Sequence, residues 1–468
     1  MVSARSRDAV VVGSGPNGLA AAVALAEAGR SVLVVEAADE PGGGLRTAEL
    51  LEAGFRHDIC ATVMAMASVS PFLSRFQLDL VVPPAALAHP LDDGRAVVLE
   101  RSVTATAERL GPDRRAYQRL MQPLVARAAE LAADVLGPLR PPRHPLLLAR
   151  FGALGLLPAA RLARMLFSGA EARALFAGAA AHSMLSLHEP VSAAIGLVML
   201  VTAHDGGWPL ARGGSSAVAD ALVHRLRGLG GEIRCGVRVS SVEELPPSGA
   251  VLLDLVPRGV LEVAGHRLPG RYRRALARYR HGPGVFKLDW TLQGPIPWRA
   301  PECRRAATVH LGGTLEEIAA AEHEVAAGRH PARPFVILVQ PTLFDPSRAP
   351  AGRHVAWAYC HVPNGSDRDM TAAIEAQVER FAPGFRDLIR ERGAVGPRQM
   401  ERWEPNCVGG DVNGGRQDLR QLFFRPAVRW TPYALPVPGL FICSAATPPG
   451  GGVHGMCGWH AARAVLRS

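Results

Sequence analysis

Residues 8–19 read Asp-Ala-Val-Val-Val-Gly-Ser-Gly-Pro-Asn-Gly-Leu, and they decide the fold of this 468-residue chain. After an alanine-rich run, residues 31–36 read Ser-Val-Leu-Val-Val-Glu and residues 42–47 read Gly-Gly-Gly-Leu-Arg-Thr. The two short apolar runs predict buried parallel strands, and the segment between them predicts a helix from about residue 17 to residue 28. The stretch therefore encodes a strand, a glycine turn, a helix, a second strand and an acid.

Each part of this stretch has its own role in holding a dinucleotide. Gly13 permits a tight turn, Gly15 lets the backbone approach a pyrophosphate, and Gly18 lets the helix pack closely on the strand. The helix start offers free N–H groups and the positive end of its dipole to phosphates. Glu36 ends the second strand, where it can bind a ribose hydroxyl. The spacing predicts a dinucleotide site, and a glycine turn without a ligand is the alternative.

The composition argues against several other classes of protein. The net charge is +10, but the arginines are spread along the chain and aromatic residues are only 6%, so nucleic acid is not an expected partner. The seven cysteines form no C-x-x-C pair, which argues against a disulfide framework or a zinc site and favours the cytoplasm. No apolar run is long enough to span a bilayer, and no signal-peptide pattern is present.

The buried-strand patterns occur in three separated blocks, near residues 9–12, 250–255 and 439–443. Between them, alternating patterns at 285–291, 335–339 and 354–359 predict an antiparallel sheet. We therefore expect an α/β fold with a discontinuous, Rossmann-type nucleotide domain and an α+β substrate domain. The predicted nucleotide domain comprises residues 1–100, 206–270 and 425–468, and the predicted substrate domain comprises residues 101–205 and 271–424.

Four stretches, at residues 10–47, 206–215, 231–239 and 438–464, occur in the order of a known family. The chain resembles the phytoene desaturase and amine oxidase branch of flavoproteins, which have the glutathione-reductase-like FAD fold. It is most similar to the bacterial phytoene dehydrogenase-related FAD oxidoreductases. The resemblance implies an FAD cofactor that receives hydride at its N5 atom. Only one glycine fingerprint is present, so oxygen or a quinone is the expected electron acceptor.

The resemblance also assigns cofactor contacts to residues of all three blocks. The glycine turn would contact the pyrophosphate, Glu36 the adenosine ribose, and residues 43–46 the ribityl and phosphate path. Val239, in a strand, would pair with adenine, and the tail at 445–454 would run under the flavin ring. The predicted contacts are Gly13, Ser14, Gly15, Gly18, Glu36, Ala37, Gly43, Gly44, Leu45, Arg46, Val239, Ser444, Ala445, Gly452, Val453 and His454.

The sequence departs from the family pattern at two of these places. Many relatives have Gly-Asp or Gly-Thr-Glu after the last strand, whereas this chain has Ser444 followed by two alanines, so one usual phosphate contact is missing or replaced by a hydroxyl. Where relatives have Gly-Gly-Arg, this chain has three glycines and a leucine before Arg46. Both departures concern single contacts and leave the FAD prediction unchanged.

Lys287 is the only lysine among 52 basic side chains. By resemblance to amine oxidases, a strand lysine here would hold a water against flavin N5 and assist the reaction with oxygen. Strand alternation places Lys287 and Asp289 opposite the apolar Phe286 and Leu288, so a solvent-facing lysine is the alternative.

His454 is the second predicted catalytic residue, because the resemblance places it near the flavin. A packed histidine that caps the last helix is the alternative. We predict no metal site, although His454, Cys457 and His460 have suitable spacing, because a fourth ligand is lacking. Further candidates for a base are His182, His204 and Asp205.

Desaturation of an apolar polyene-, lipid- or polyketide-like substrate is the leading functional prediction, and amine oxidation is the second. A third hypothesis is a non-enzymatic lipid binder, since the Rab GDP-dissociation inhibitors share this fold without FAD; the intact glycines and Glu36 argue against it. Residues 145–158 are apolar with flanking arginines, which predicts either a buried helix or a peripheral contact with a membrane.

Overall fold

The computed structural model describes residues 6–468. Its strands are β1 (Arg7–Val12), β2 (Val32–Val35), β3 (Thr47–Ala48), β4 (His57–Asp58), β5 (Leu80–Val81), β6 (Ala85–Pro90), β7 (Ala96–Glu100), β8 (Leu210–Ala211), β9 (Glu232–Arg234), β10 (Ser248–Leu253), β11 (Gly284–Leu292), β12 (Ala306–Leu311), β13 (Val336–Val339), β14 (His354–Val362), β15 (Ile389–Val395) and β16 (Leu440–Ile442). Its α-helices are α1 (Pro16–Glu27), α2 (Val103–Glu108), α3 (Arg114–Val125), α4 (Ala128–Val135), α5 (Pro145–Gly155), α6 (Ala159–Leu166), α7 (Ala170–Ala181), α8 (Ser192–Asp205), α9 (Ser216–Gly228), α10 (Pro257–Ala264), α11 (Gly270–Ala277), α12 (Leu315–Ala326), α13 (Thr371–Phe381), α14 (Pro397–Trp403), α15 (Leu419–Phe424) and α16 (Met456–Val465).

The nucleotide sheet contains five parallel strands in the order β16-β10-β1-β2-β9. Its strands come from the N-terminal, central and C-terminal parts of the chain, and their side chains are mostly apolar and buried, as in parallel sheets covered on both faces. α1 packs against α16 so closely that a Cβ atom on Gly458 would overlap the Asn17 carbonyl. The α/β fold with a Rossmann-like parallel sheet is confirmed.

The second sheet is mixed and contains seven strands in the order β15-β11-β14-β13-β12-β6-β7. The predicted antiparallel strands are confirmed as β11, β13 and β14. β6 pairs in parallel with β12 and antiparallel with β7, so residues 85–100 belong to this sheet although the sequence analysis assigned them to the nucleotide domain. The domain boundaries themselves stay a prediction.

The two faces of the mixed sheet differ in polarity, but both are buried. One face carries Phe286, Leu288 and Trp290 and packs on α13. The other face carries Lys287 and Asp289, which are only 2% and 1% exposed. The alternative of a solvent-facing Lys287 is therefore wrong, because other parts of the chain cover the polar face.

A layer of helices, α2 to α8, covers part of this polar face. α5 packs on α8 through buried Leu147 and Phe151, whereas its Leu146 is 84% exposed. Within residues 6–468, no single helix is long and apolar enough to cross a membrane. Only α5 and α6 together meet that length and composition, and they are bent by 100° relative to each other.

Candidate functional site

A cavity of about 1060 Å³ connects the end of β1, the polar face of the mixed sheet, and helices α5 and α8. Of the three further candidates for a base, His182 lines this cavity, whereas His204 and Asp205 do not. Apart from Gly18, which lies behind the turn, the structure brings all the predicted cofactor contacts and both predicted catalytic residues to the cavity wall: Gly13, Ser14, Gly15, Glu36, Ala37, Gly43, Gly44, Leu45, Arg46, Val239, Lys287, Ser444, Ala445, Gly452, Val453 and His454.

The glycine turn after β1 needs glycine for geometric reasons. Gly13 has a φ of +98°, and its N–H donates to the Val35 carbonyl at 2.8 Å. A Cβ atom on Gly18 would overlap the Gly13 carbonyl oxygen. α1 begins at Pro16 without a side-chain cap, so the positive end of its dipole is directed at the cavity, which Pro16 lines.

Glu36, directly after β2, binds the glycine turn through its carboxylate. Oε2 accepts hydrogen bonds from the Ser14 N–H at 2.8 Å and the Ser14 hydroxyl at 2.6 Å, and Oε1 accepts from the Ala38 N–H at 2.8 Å. These bonds fix the orientation of the carboxylate. Because a carboxylate has about four acceptor positions, Glu36 can still accept a hydrogen bond from a hydroxyl group in the cavity.

A second glycine segment, Gly43–Leu45, forms a 3-10 turn against the first. A Cβ atom on Gly43 would lie 3.0 Å from the Gly15 Cα, so the two backbones are in contact. Arg46 follows this turn; its Nε donates to the Gly43 carbonyl at 2.9 Å and its Nη2 to the Trp403 carbonyl at 2.6 Å. These two bonds hold the guanidinium at the cavity wall.

Val239 lies at the cavity wall, but the prediction that it belongs to a strand is wrong. β9 ends at Arg234, and the chain then turns at Gly236, whose φ is +70°. After this turn the Val237 N–H donates to the Glu36 carbonyl at 2.8 Å, which ties the segment to the loop after β2 instead of extending the ladder. Val239 therefore contributes to the cavity from a loop.

The tail after β16 enters the cavity as irregular backbone before α16 begins. The Ser444 hydroxyl donates to the Leu255 carbonyl at 2.8 Å, which anchors the start of the tail to the segment after β10. A Cβ atom on Gly451 would lie 2.7 Å from the Asn413 carbonyl oxygen, so the glycine run packs directly on a neighbouring loop. α16 starts after this tail, at Met456.

His454 is buried at the cavity wall, and its hydrogen bonds define its tautomer. Nδ1 accepts from the Met456 N–H at 3.0 Å, so the ring proton of the neutral form lies on Nε2. Among the described residues, Nε2 has no partner. Burial lowers the pKa of His454 to about 4, which keeps the ring neutral near pH 7. The residue therefore caps α16, as the alternative proposed, and also offers an N–H donor.

Lys287 is a fixed positive charge at the cavity wall. Its Nζ lies 2.6 and 2.5 Å from the two carboxylate oxygens of Asp289 and 3.0 Å from the Asp58 carbonyl oxygen. It also lies 5.2 Å from the centre of the Trp357 ring. Three acceptors match its three N–H donors, so a water bound by Lys287 would have to share one of them.

Further polar and charged side chains surround the ion pair of Lys287 and Asp289. Burial alone would raise the pKa of Asp289, but the charge of Lys287 and the contact with His57 hold it below its ordinary value. Arg348 forms ion pairs with Asp58 at 2.5 Å and Asp345 at 3.1 Å. Sequence reasoning missed this network, because its members are far apart in the chain and no local pattern connects them.

Sequence reasoning also missed Asp254, which follows β10 directly. Its Oδ2 accepts from the Gly18 N–H at 2.8 Å, so the carboxyl group lies on the start of α1. Burial, together with the charges of Glu404 and Glu36, raises the pKa of Asp254 to about 7. Its position directly after a predicted buried strand could have identified Asp254 as a site residue, since ligand-binding groups gather at the carboxyl ends of parallel strands.

The part of the cavity between α5 and α8 forms an apolar arm. Two lining residues, Leu139 and Leu156, are 60% and 49% exposed, so the arm reaches the protein surface beside them. Asp134 also lines the arm, but its oxygens accept from the backbone N–H groups of Arg143 and His144. Aliphatic and aromatic side chains dominate the wall, among them Leu148, Phe151, Ile195, Val198 and Met199.

The geometry fits an extended dinucleotide. The cavity passes from the glycine turn, past Arg46, to the unpartnered Nε2 of His454. The turn provides close backbone and an uncapped helix start for phosphate groups, and Glu36 provides an acceptor for a hydroxyl. The chain therefore has the parts needed to bind both ends of such a molecule.

Comparisons with known proteins agree with this geometry. Residues 11–76 match the model of an NAD(P)-binding Rossmann-like domain. The chain is 25% identical to the pyridine nucleotide-disulfide oxidoreductase domain-containing protein 2 of Rattus norvegicus, over 98% of this chain and 93% of that protein. It is 29% identical to a phytoene dehydrogenase of Streptomyces griseus, over 83% of this chain and 82% of that protein.

Solved structures share the fold along the whole chain. An oxidoreductase from Methanosarcina mazei aligns with a TM-score of 0.68 at 16% identity, covering 99% of this chain and 100% of that one. A putrescine oxidase with bound putrescine aligns with a TM-score of 0.62 at 18% identity, covering 99% of this chain and 100% of that one.

Proposed function

We propose that this chain is an FAD-dependent dehydrogenase or desaturase that acts on an apolar substrate, related to the phytoene dehydrogenases that it resembles along most of its length. The observation that carries this proposal is the continuous cavity, which joins the dinucleotide turn, the polar sheet face at Lys287 and the apolar arm. A cofactor held by backbone groups would meet a substrate held by hydrophobic contact in the same cavity.

FAD is the cofactor that we infer for the dinucleotide turn. The residues that would hold it are the turn at 13–15 and the start of α1 for the pyrophosphate, Glu36 for the ribose, and the tail at 444–454 for the ring. When bound, FAD supplies an acceptor for the hydride that a substrate loses. The catalytic work of the chain is to orient the substrate, exclude water and stabilise charge around that acceptor.

His454 and Lys287 are the residues that we propose for charge stabilisation. The Nε2–H of His454 and the N-terminal end of α16 both place positive potential in this part of the cavity, which stabilises negative charge that develops there. Lys287 adds a full positive charge that Asp289 holds in place. Both side chains are buried, so solvent weakens these effects little.

The charges of the apolar arm favour a neutral substrate over an amine. A cationic amine needs a carboxylate or an aromatic cage, and the Asp134 carboxylate of the arm is already bonded to two backbone N–H groups. The arm also carries Arg140, which would repel an ammonium group. These observations support a polyene-, lipid- or polyketide-like substrate, and amine oxidation is the outcome that would contradict it.

We further propose oxygen or a quinone as the electron acceptor and a peripheral contact with a membrane. The exposed Leu139, Leu146 and Leu156 lie at or beside the place where the arm reaches the surface. Arginines 140, 143 and 150 flank them in sequence and would attract anionic lipid headgroups. An apolar substrate or a quinone could then enter the arm directly from the lipid.

The first test is the colour of the purified protein. Bound oxidised flavin absorbs at about 450 nm, and we expect this band either in the purified protein or after reconstitution with FAD. Anaerobic addition of polyenes, hydroxy-lipids and fatty amines should then show which class bleaches the band. A colourless protein that does not take up FAD would contradict the proposal and favour the non-enzymatic lipid binder.

A variant of the apolar arm provides the matched control. Ile195 is half-buried at the wall of the arm, distant in sequence from every predicted cofactor contact. Ile195→Arg should keep the flavin band and lose bleaching by apolar substrates. If the variant bleaches as fast as the wild type, the substrate does not occupy the arm.

A further inference from the structure

Three histidines form a row that begins at the cavity wall with the half-buried His182 and continues through the buried His310 and His89. His182, directly after α7, lines the cavity, and its Nε2 lies 3.1 Å from the Nε2 of His310 on β12. The ring centres of His310 and His89 are 6.4 Å apart, on the adjacent parallel strands β12 and β6. The Nε2 of His89 lies 2.7 Å from the Gly313 carbonyl oxygen. The row therefore leads from the cavity to the loop after β12.

The nitrogens between His310 and His89 converge at one glycine. The Nδ1 atoms of both rings are buried without a partner among the described residues. A Cβ atom on Gly178 of α7 would lie 2.7 Å from the Nδ1 of His310 and 3.3 Å from the Nδ1 of His89. Glycine at this position leaves a gap in which a water molecule can bridge the two nitrogens.

One set of tautomers satisfies every contact in the row. His89 must donate from Nε2, because a carbonyl oxygen only accepts, so its Nδ1 is an acceptor. If His182 donates from Nε2 to the Nε2 of His310, then Nδ1 of His310 carries a proton directed toward His89. His182 then donates to His310, the Nδ1–H of His310 faces the gap beside Nδ1 of His89, and Nδ1 of His182 is an acceptor available to a group in the cavity.

We propose that this row is a proton relay, in which His182 takes the proton that the substrate loses during dehydrogenation. The inference rests on the proposed function and names the base of that reaction. When one carbon loses a hydride to the flavin, the neighbouring C–H bond breaks, its electron pair forms the new double bond, and its proton binds Nδ1 of His182. The Nε2 proton of His182 passes to His310, and the Nδ1 proton of His310 passes through a bridging water to Nδ1 of His89. The Nε2 proton of His89 passes to the carboxylate of Glu317, which lies against Gly313 and is 30% exposed, so that the proton can leave to solvent.

The surroundings keep the row neutral between turnovers. Burial lowers the pKa of His182 to about 3 and that of His89 to about 4, and it lowers the pKa of His310 well below its ordinary value, so each ring is neutral and carries a single N–H near pH 7. The titratable neighbours are Glu317, near His89, and His361, near His182, with Glu322 2.8 Å from Nδ1 of His361. Trp208 and Phe335 pack on the remaining sides, with ring centres 5.6 Å from His182 and 5.4 Å from His310.

Gly178→Ala tests the relay without removing any titratable group. The added methyl separates His310 from His89, and we expect anaerobic flavin bleaching by substrate to slow at least about tenfold, with a changed solvent deuterium isotope effect. Gly196→Ala on α8 is the control, because its Cβ atom would lie 3.0 Å from Ala180 and so crowd the same helix, α7, with no histidine among its nearest atoms. Equal rates and isotope effects in the two variants would overturn the relay.

His89→Gln provides a second variant in case Gly178→Ala does not fold. Glutamine can still bond to the Gly313 carbonyl but cannot pass a proton through a ring, so we expect the same slowing and isotope effect. Wild-type rates and isotope effects in this variant would overturn the relay.

A measurement without substrate separates the relay from the proposed function. In histidine-labelled protein, ¹⁵N NMR should show the buried ring N–H protons of the row exchanging with solvent faster in the wild type than in Gly178→Ala. Exchange that is equal in both proteins would overturn the relay even where bleaching proceeds. Conversely, if the protein binds no flavin but shows this difference in exchange, the proton path is supported and the proposed FAD-dependent reaction is contradicted.

Discussion

The glycine turn and the polar face of the mixed sheet are two walls of one cavity, but different interactions stabilise them. The turn consists of backbone contacts within a short stretch, such as the Gly13 N–H donating to Val35. The sheet face consists of buried charges such as Lys287, Asp289 and Arg348, which come from distant parts of the chain. A site made from backbone depends on shape, whereas a site made from buried charges depends on every partner remaining in place.

The largest expected change in stability follows from a substitution in the polar face of the mixed sheet. Lys287→Met removes the partner of Asp289, which is 1% exposed, and leaves a buried carboxylate unpaired. We expect the free energy of unfolding to fall by about 3–5 kcal/mol, measured by urea denaturation. The double variant Lys287→Met with Asp289→Leu should recover most of this loss. An equal loss of unfolding free energy in the single and double variants would show that the unpaired Asp289 carboxylate does not cause the destabilisation.

The next largest effect concerns the acid behind the turn. Burial raises the pKa of Asp254 from 3.8 to about 7, so the folded protein holds a proton that the unfolded chain has already lost. The unfolding free energy should therefore fall as the pH rises from about 4 to about 7, by up to about 4 kcal/mol. Asp254→Asn should be more stable than the wild type at about pH 8 and similar to it near about pH 4. Denaturation curves at several pH values test this, and parallel pH profiles would contradict it.

The glycine turn should be sensitive to added side-chain volume, because it consists of close backbone contacts and not of charges. Gly18→Ala places a methyl group against the Gly13 carbonyl oxygen, so α1 must shift. We expect a loss of about 1–3 kcal/mol in stability and a loss of flavin binding, measured by denaturation and by absorbance. The matched control is Gly228→Ala, where the added Cβ atom meets nothing within 4 Å. If both variants bind flavin equally, close packing at Gly18 is not required.

The role of Lys287 in the reaction with oxygen is the fourth prediction. In the stable double variant, reoxidation of the reduced protein by oxygen should slow about tenfold, and more than reduction by substrate, because the positive charge at the cavity wall is lost. Stopped-flow absorbance measures the two half-reactions separately. Equal slowing of both would mean that Lys287 acts only through the structure.

The smallest effect on stability is expected at the mouth of the apolar arm. Leu146 is 84% exposed, so Leu146→Glu should change the free energy of unfolding by less than about 0.5 kcal/mol. It should nevertheless weaken binding to anionic lipid vesicles in a sedimentation assay. Val82→Glu, at another exposed apolar position, is the control. Equal vesicle binding by both variants would contradict a membrane contact at α5.

Much of the nucleotide half could be predicted from sequence, because its determinants are local. The spacing of Gly13, Gly15, Gly18 and Glu36 reports backbone geometry that neighbouring residues impose on one another. The prediction that Val239 lies in a strand was wrong, because Gly236 turns the chain before it. Asp254 was missed, because its contact with Gly18 joins residues from different blocks.

The amino-acid sequence by itself determined the parallel and antiparallel strands and the glycine turn, since these follow from short-range periodicity and from backbone freedom at glycine. It could not determine what covers each face of a strand. Alternation identified the polar face of β11, but only the tertiary structure decided that this face is buried at the cavity wall. The same packing brought His182, His310 and His89 into one row, because strand pairing and helix packing join residues that no sequence spacing connects.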